Sequence, residues 1–184
     1  DTVYYLPGMG GRLNTGLGRG IHDRGYKIVG RETLGEFQKY SFQDKIDLVA
    51  NDLEEHFWHE KSKVIVNYFG AYLFLHAQLQ MKPYPGQLLI LSPIIGGSNH
   101  NETMMRFYPP RADTLLQAAT DGVFPCPLNA QIHVGSEDWQ SGPEDAVSFG
   151  GITGMPVAVV DKQGHMLNVN YVGGLLDELL GTQD

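Results

Sequence analysis

Apolar positions along the chain fall into two patterns that take turns. Short β-rich runs closed by turn residues alternate with amphipathic stretches of helical spacing. Val3-Tyr4-Tyr5-Leu6 predicts a first strand, stopped by Pro7-Gly8, and Lys27-Ile28-Val29 a second. Between them Leu13, Leu17 and Ile21 recur at four-residue spacing, with Gly25 as a helix stop. The clearest helix follows: Phe42, Ile46, Val49, Leu53 and Phe57 share one face, and Ser41 with Asp44 gives a capping-box start. Lys63-Val64-Ile65-Val66 predicts a third strand leading into Gly70-Ala71-Tyr72-Leu73-Phe74-Leu75, which is apolar all round, as a buried central helix is. Gln87-Leu88-Leu89-Ile90-Leu91 has no polar alternation and reads as an interior parallel strand covered on both faces. Further strands fall at Ala130 to Gly135 and Pro156 to Val160. A last helix carries Val172, Leu175, Leu176, Leu179 and Leu180 on one side.

This alternation predicts one α/β domain over residues 1–184, a three-layer sandwich: a mostly parallel sheet of about six strands with helices on both faces. In such a sheet, functional groups gather at the carboxyl ends of the strands. The longest interruption, at about 96–124, contains a predicted helix around Thr114 to Ala119 and is expected to lie over the strand ends as a short lid.

Composition narrows the classes. With 184 residues, 42% of them apolar and 18% charged, the chain can bury a substantial core. A formal net charge of −8 with no run of Lys or Arg argues against a nucleic-acid partner, which needs clustered cations. The single cysteine, Cys126, allows no intramolecular disulfide. The apolar run Leu88 to Ile95 is far too short to span a bilayer. Asp1 to Leu6 have neither the basic start nor the apolar core of a leader, so a cytoplasmic setting is the expectation.

Three loops at strand carboxyl ends carry the chemistry. The third strand turns into a helix at Val66-Asn67-Tyr68-Phe69-Gly70-Ala71. The fifth runs into Gly135-Ser136-Glu137-Asp138, and the sixth is followed by Gln163-Gly164-His165-Met166. In this order they resemble the nucleophile elbow, the acid loop and the histidine loop of the α/β-hydrolases. The resemblance covers nearly the whole chain, less the family's first strands. It implies Tyr68 at the nucleophile position, Asp138 as the acid and His165 as the base. It further implies that Leu6-Pro7-Gly8-Met9-Gly10-Gly11 is the oxyanion loop, with the N–H groups of Met9 and Phe69 as donors, and that Gly8, Gly10, Ser92 and Met166 line a ligand pocket.

Two residues depart from the family's pattern. Tyr68 stands where a serine is expected, and Val66 where the elbow begins with a small residue. A phenol has a reference pKa near 10 and carries its oxygen several ångströms beyond a serine hydroxyl, out of register with His165 and the oxyanion donors. Tyr68 is therefore read as a packing residue plugging the former pocket, with a ligand-stacking ring and a catalytic phenol as alternatives. Asp138 and His165 are either ordinary loop residues or a remnant couple. Two functions follow. One is a degenerate hydrolase that binds a small-molecule ligand or a protein partner. The other is an active hydrolase of carboxylic ester, thioester or amide bonds in which His165 activates water on an acyl substrate or Ser92 stands in as nucleophile.

Other signals have plainer readings. Gly8-Met9-Gly10-Gly11-Arg12-Leu13 fails the dinucleotide pattern at its last position, and close helix–sheet packing accounts for the glycines. His56 and His59 lack a third ligand, so no metal is expected, and no cofactor. Cys126 lies between two prolines with no activating base, and Arg106 and Arg111 read as solvated lid residues that could otherwise meet an anionic ligand.

Overall fold

A computed structural model describes residues 1–99 and 106–181. Eight strands and seven helices follow one another along them: β1 Thr2–Leu6, α1 Leu17–His22, β2 Lys27–Gly30, α2 Gly35–Lys39, α3 Phe42–His56, β3 Lys63–Asn67, α4 Phe69–Gln78, β4 Gln87–Leu91, β5 Ser98–Asn99, β6 Arg106–Phe107, α5 Thr114–Thr120, β7 Asn129–Gly135, α6 Pro143–Thr153, β8 Val157–Val160 and α7 Val169–Leu180. Six of the strands form one sheet in the order β2-β1-β3-β4-β7-β8. Every neighbouring pair in it is parallel.

Two apolar clusters lie on opposite faces of the sheet because strand side chains alternate. Tyr4, Leu6, Val64, Val66, Leu88 and Ile90 face α3, α4 and α6. Val3, Tyr5, Ile65, Leu89 and Leu91 meet α1 and α7 through Ile21, Leu175, Leu176 and Leu180. Strand β4 contributes to both clusters, which is why its sequence shows no alternation. Helix α4 is buried along its whole length, and α3 starts where Ser41 Oγ accepts the Asp44 N–H at 3.1 Å. Val66, standing where the family's elbow begins with a small residue, is fully buried. It takes ordinary strand register between Leu6 and Ile90 and packs into the core.

The chain steps from β1 to β2 on one side, then crosses to β3 on the other. This reversal marks the carboxyl ends of β1 and β3 as the place where an open α/β sheet holds its ligands. Helix α4 is drawn against that end of β1. A Cβ built on Gly70 would lie 2.2 Å from the Leu6 carbonyl oxygen. Gly70→Ala is accordingly expected to cost roughly 1–3 kcal/mol, read as a lower urea midpoint, because the obstacle is backbone and cannot rotate away.

The segment between β4 and β7 differs from expectation in having its own antiparallel pair, β5 with β6, in addition to α5. Residues 100–105 of the predicted lid lie outside the described residues. The flanks are tied to the body of the protein: Arg106 pairs with Asp145 at 3.3 Å, and Arg111 donates to Gln43 Oε1 at 2.6 Å while stacking over Phe42. Both arginines remain exposed, as expected of solvated side chains, while making these surface contacts. No helix of the described residues is long and apolar enough to cross a membrane.

Candidate active site

Tyr68 is the N-cap of α4, with φ 51° and ψ −111°. A non-glycine residue with this φ costs on the order of 1–3 kcal/mol, which the surrounding fold must supply. The constraint is visible on both sides. The Tyr68 N–H donates to the Leu91 carbonyl at 3.1 Å, tying the turn to β4. On the side of β1, a Cβ on Gly8 would come within 3.3 Å of the Tyr68 Cβ. The turn thus lifts the Tyr68 side chain off the sheet, toward Ser98 and the His165 ring.

Asp138 and His165 come together beneath it. Strands β7 and β8 are neighbours in the sheet, so the loops leaving their carboxyl ends meet. The Glu137 N–H donates to the Gln163 carbonyl at 2.9 Å. Gly135 makes this approach possible, since a Cβ there would lie 2.1 Å from the Gln163 carbonyl oxygen. His165 Nδ1 stands 3.1 Å from both Asp138 carboxylate oxygens. Asp138 is fully buried, and its Oδ1 also accepts the N–H groups of Gln140 at 3.0 Å and Ser141 at 2.9 Å. A buried carboxylate without such donors would be costly; here three groups converge on it.

Two serines complete the scaffold. Ser141 Oγ donates to the Ser92 carbonyl at 3.1 Å and lies 3.2 Å from His165 Nδ1, so its lone pair faces the ring nitrogen. Ser92 Oγ donates to the His165 backbone carbonyl at 2.8 Å. The Asp138 carboxylate and Ser141 Oγ are acceptors toward Nδ1, which assigns the ring hydrogen to Nδ1 and leaves Nε2 with a lone pair. The side chain of His165 is 21% exposed while that of Asp138 is 0% exposed, so the accessible edge of the ring is the one away from the carboxylate.

The Tyr68 hydroxyl is hydrogen-bonded to Ser98 Oγ, on β5, and its ring meets the imidazole edge-on at 4.4 Å between centroids. The phenol is half-buried, and desolvation by that burial raises its pKa above the ordinary value. It stays protonated at neutral pH. Among the described residues, the tyrosine oxygen is engaged by the β5 serine and the imidazole meets the ring instead.

The remaining predicted residues are placed unevenly. Met9 is exposed at the rim and Phe69 is buried at the first position of α4, where a backbone N–H has no partner within the helix. Gly8 backs onto Tyr68, and Gly10 is exposed at φ 76°. Ser92 is corrected: it is buried at φ 44° with its hydroxyl committed to the His165 carbonyl, so it supports the histidine loop and is no stand-in nucleophile. Met166 is also corrected, because at 90% exposure it projects into solvent. Ser98 and Ser141 were missed. Ser98 had no local signal, whereas Ser141, three residues after Asp138, had one in the turn that Asp138 caps.

No sequence-family profile matches the chain, and no curated protein sequence matches it. Solved structures do. The monoacylglycerol lipase of Paleococcus ferrophilus has a TM-score of 0.69 at 11% identity, over 99% of this chain and 95% of that one. The ydeN gene product of Bacillus subtilis has 0.66 at 10% identity, over 97% and 98%. Est1E from Butyrivibrio proteoclasticus has 0.65 at 11%, over 97% and 86%. At such identities the likeness is one of fold, and the fold is that of the α/β-hydrolases.

Proposed function

We propose that this α/β-hydrolase-fold protein derives from a serine ester or thioester hydrolase, has lost acyl-transfer catalysis, and acts by binding a small molecule over the carboxyl ends of β1 and β3. The observation that carries this reading is Tyr68 at the apex of the elbow with its oxygen engaged by Ser98. Acyl transfer needs a nucleophile hydrogen-bonded to its base and in line with the oxyanion donors. Removing the nucleophile of such a triad costs about a millionfold in rate, and binding with oxyanion stabilisation is what survives.

The ligand in this reading carries a carbonyl or carboxylate, which the N–H groups of Met9 and Phe69 receive as an oxyanion hole would. The exposed Met9 gives the rim an apolar character, suited to an acyl chain or to a protein partner seated on the same face. A cytoplasmic setting fits the lone, partly buried Cys126.

Two measurements test the proposal. The purified protein is expected to resist labelling by a fluorophosphonate probe and to hydrolyse short-chain aryl esters no faster than His165→Ala. Labelling that vanishes in His165→Ala would overturn it. Titration with butyrate is expected to shift the backbone amide resonances of Met9 and Phe69 first; shifts confined elsewhere would remove the ligand site.

A second reading is favoured by the 3.1 Å Asp138–His165 contact and the accessible edge of the ring. In it, His165 activates water directly on an acyl substrate. Ester hydrolysis without fluorophosphonate labelling, lost in His165→Ala, is its signature.

A further inference from the structure

The site pairs an acid with a base and has no acyl acceptor between them. His165 holds its hydrogen on Nδ1 against Asp138 and Ser141, so its free lone pair on Nε2 lies on the accessible edge. Beside it are two hydroxyls, Tyr68 and Ser98, that share one hydrogen bond. Whichever donates, one O–H hydrogen of the pair is left over. Ser98 is only 3% exposed whereas the phenol is half-open, so the spare hydrogen is best accommodated on Tyr68. The N–H of Phe69, next to Tyr68 in the first turn of α4, has no partner within the helix. A base with a neutral hydroxyl donor against it, the Tyr68 and His165 ring centroids being 4.4 Å apart, suits the removal of a proton from carbon next to a carbonyl group.

We propose that the ligand is a small carbonyl compound with an acidified α C–H bond, such as a β-keto ester, and that His165 interconverts its keto and enol forms. The proposal rests on the ligand-binding reading above and adds the reaction. Nε2 takes the α-proton as the C–H bond breaks. The electron pair forms the carbon–carbon double bond of the enolate, and the carbonyl oxygen gathers the charge. The Tyr68 hydroxyl and the Phe69 N–H hold that oxygen. Return of the proton from Nε2 to carbon restores the ketone, and transfer to oxygen gives the enol. Nothing is oxidised or reduced, and no co-reactant is consumed. Doubly activated α-protons are selected because an imidazole is too weak a base to ionise a simple ketone, whereas a β-keto ester comes within its range.

The test is hydrogen–deuterium exchange at C2 of ethyl 2-methylacetoacetate in deuterated, dilute buffer, followed by proton NMR. Amide shifts at Met9 and Phe69 are recorded on the same samples. The expected result is saturable exchange about 100-fold above the buffer rate, within the ordinary range for one positioned base. His165→Ala, shown to be folded by its amide spectrum, returns to the buffer rate. Tyr68→Phe slows exchange about tenfold at saturating ester with KM little changed, as expected for a donor that acts on the enolate. Binding without exchange, or exchange that persists in His165→Ala, overturns the reaction while leaving the ligand site standing. Failure of both the ester and butyrate to move either amide overturns the two readings together.

Discussion

Tyr68→Ser is expected to label with fluorophosphonate and to gain aryl-ester hydrolysis by about 10³-fold over the wild-type protein, with both gains abolished by adding His165→Ala. The argument starts from the backbone. The φ of 51° at residue 68 and the Tyr68 N–H bond to Leu91 belong to the turn and not to the phenol, so a serine inherits the same lifted position. Gly70 keeps α4 tight against β1, which fixes the first N–H of the helix beside that position. The imidazole is oriented by Asp138, Ser141 and the Ser92 hydroxyl, none of which contacts the ring of Tyr68 through its hydrogen bonds. What the substitution removes is the bond to Ser98 and the aromatic edge against His165. That loss leaves space beside the imidazole and an unpaired buried hydroxyl, which together hold the gain about three orders of magnitude below a full millionfold recovery. The measurement is kcat/KM on p-nitrophenyl butyrate for wild type, Tyr68→Ser and the double variant. A Tyr68→Ser protein that folds and binds butyrate but neither labels nor turns over would mean that the elbow and the imidazole are out of register.

How far the sequence reaches depends on whether a signal is local. Strand β4 was legible because five apolar-rich residues without alternation can be satisfied only between two layers, and its side chains do fill both clusters. Strand β1 was legible from its stop at Pro7-Gly8. Helix α6 escaped because Gly150 and Gly151 break any apolar period, although Pro143 at its first turn followed by Glu144 and Asp145 was a usable start signal. The β5–β6 pair escaped for a different reason: each strand has two residues, too few to show a period. The site divides in the same way. Tyr68, Asp138 and His165 each follow a strand that the pattern identifies, so their convergence was implied once the strands were in parallel order. The partners that decide the chemistry were not implied. Ser98 reaches Tyr68 across thirty residues of chain, and Ser92 looked like a spare nucleophile until its hydroxyl was seen to hold the His165 carbonyl. A hydroxyl's identity is legible in sequence, but the acceptor it chooses is a tertiary fact.

Acid is expected to unfold this protein earlier than its carboxylates alone would require, and His76 is the reason. The residue lies in the fully buried α4, 3% exposed, between the rings of Phe42 and Tyr72, and its Nε2 has no hydrogen-bond partner among the described residues. Desolvation, with Arg111 nearby as a like charge, lowers its pKa from 6.5 to about 4. Above pH 6.5 neither the folded nor the unfolded chain protonates this side chain, and the stability is complete. Between 6.5 and 4 the unfolded chain takes up a proton that the folded one refuses, so stability falls as pH falls. The slope is about 1.4 kcal/mol per pH unit, reaching roughly 3 kcal/mol in all. His133 adds to the loss in the same direction, since burial lowers its pKa as well. His76→Phe keeps the aromatic packing and removes both the titration and the unpartnered nitrogen. It is therefore expected to match or exceed wild-type stability at pH 7 and to lose roughly 3 kcal/mol less on going to pH 4. Urea unfolding of the two proteins at pH 7.0, 5.5 and 4.0 checks this, because the carboxylates contribute equally to both and cancel in the difference. Parallel pH profiles would show that the native state accommodates a charged His76, with Arg111 swinging away from it.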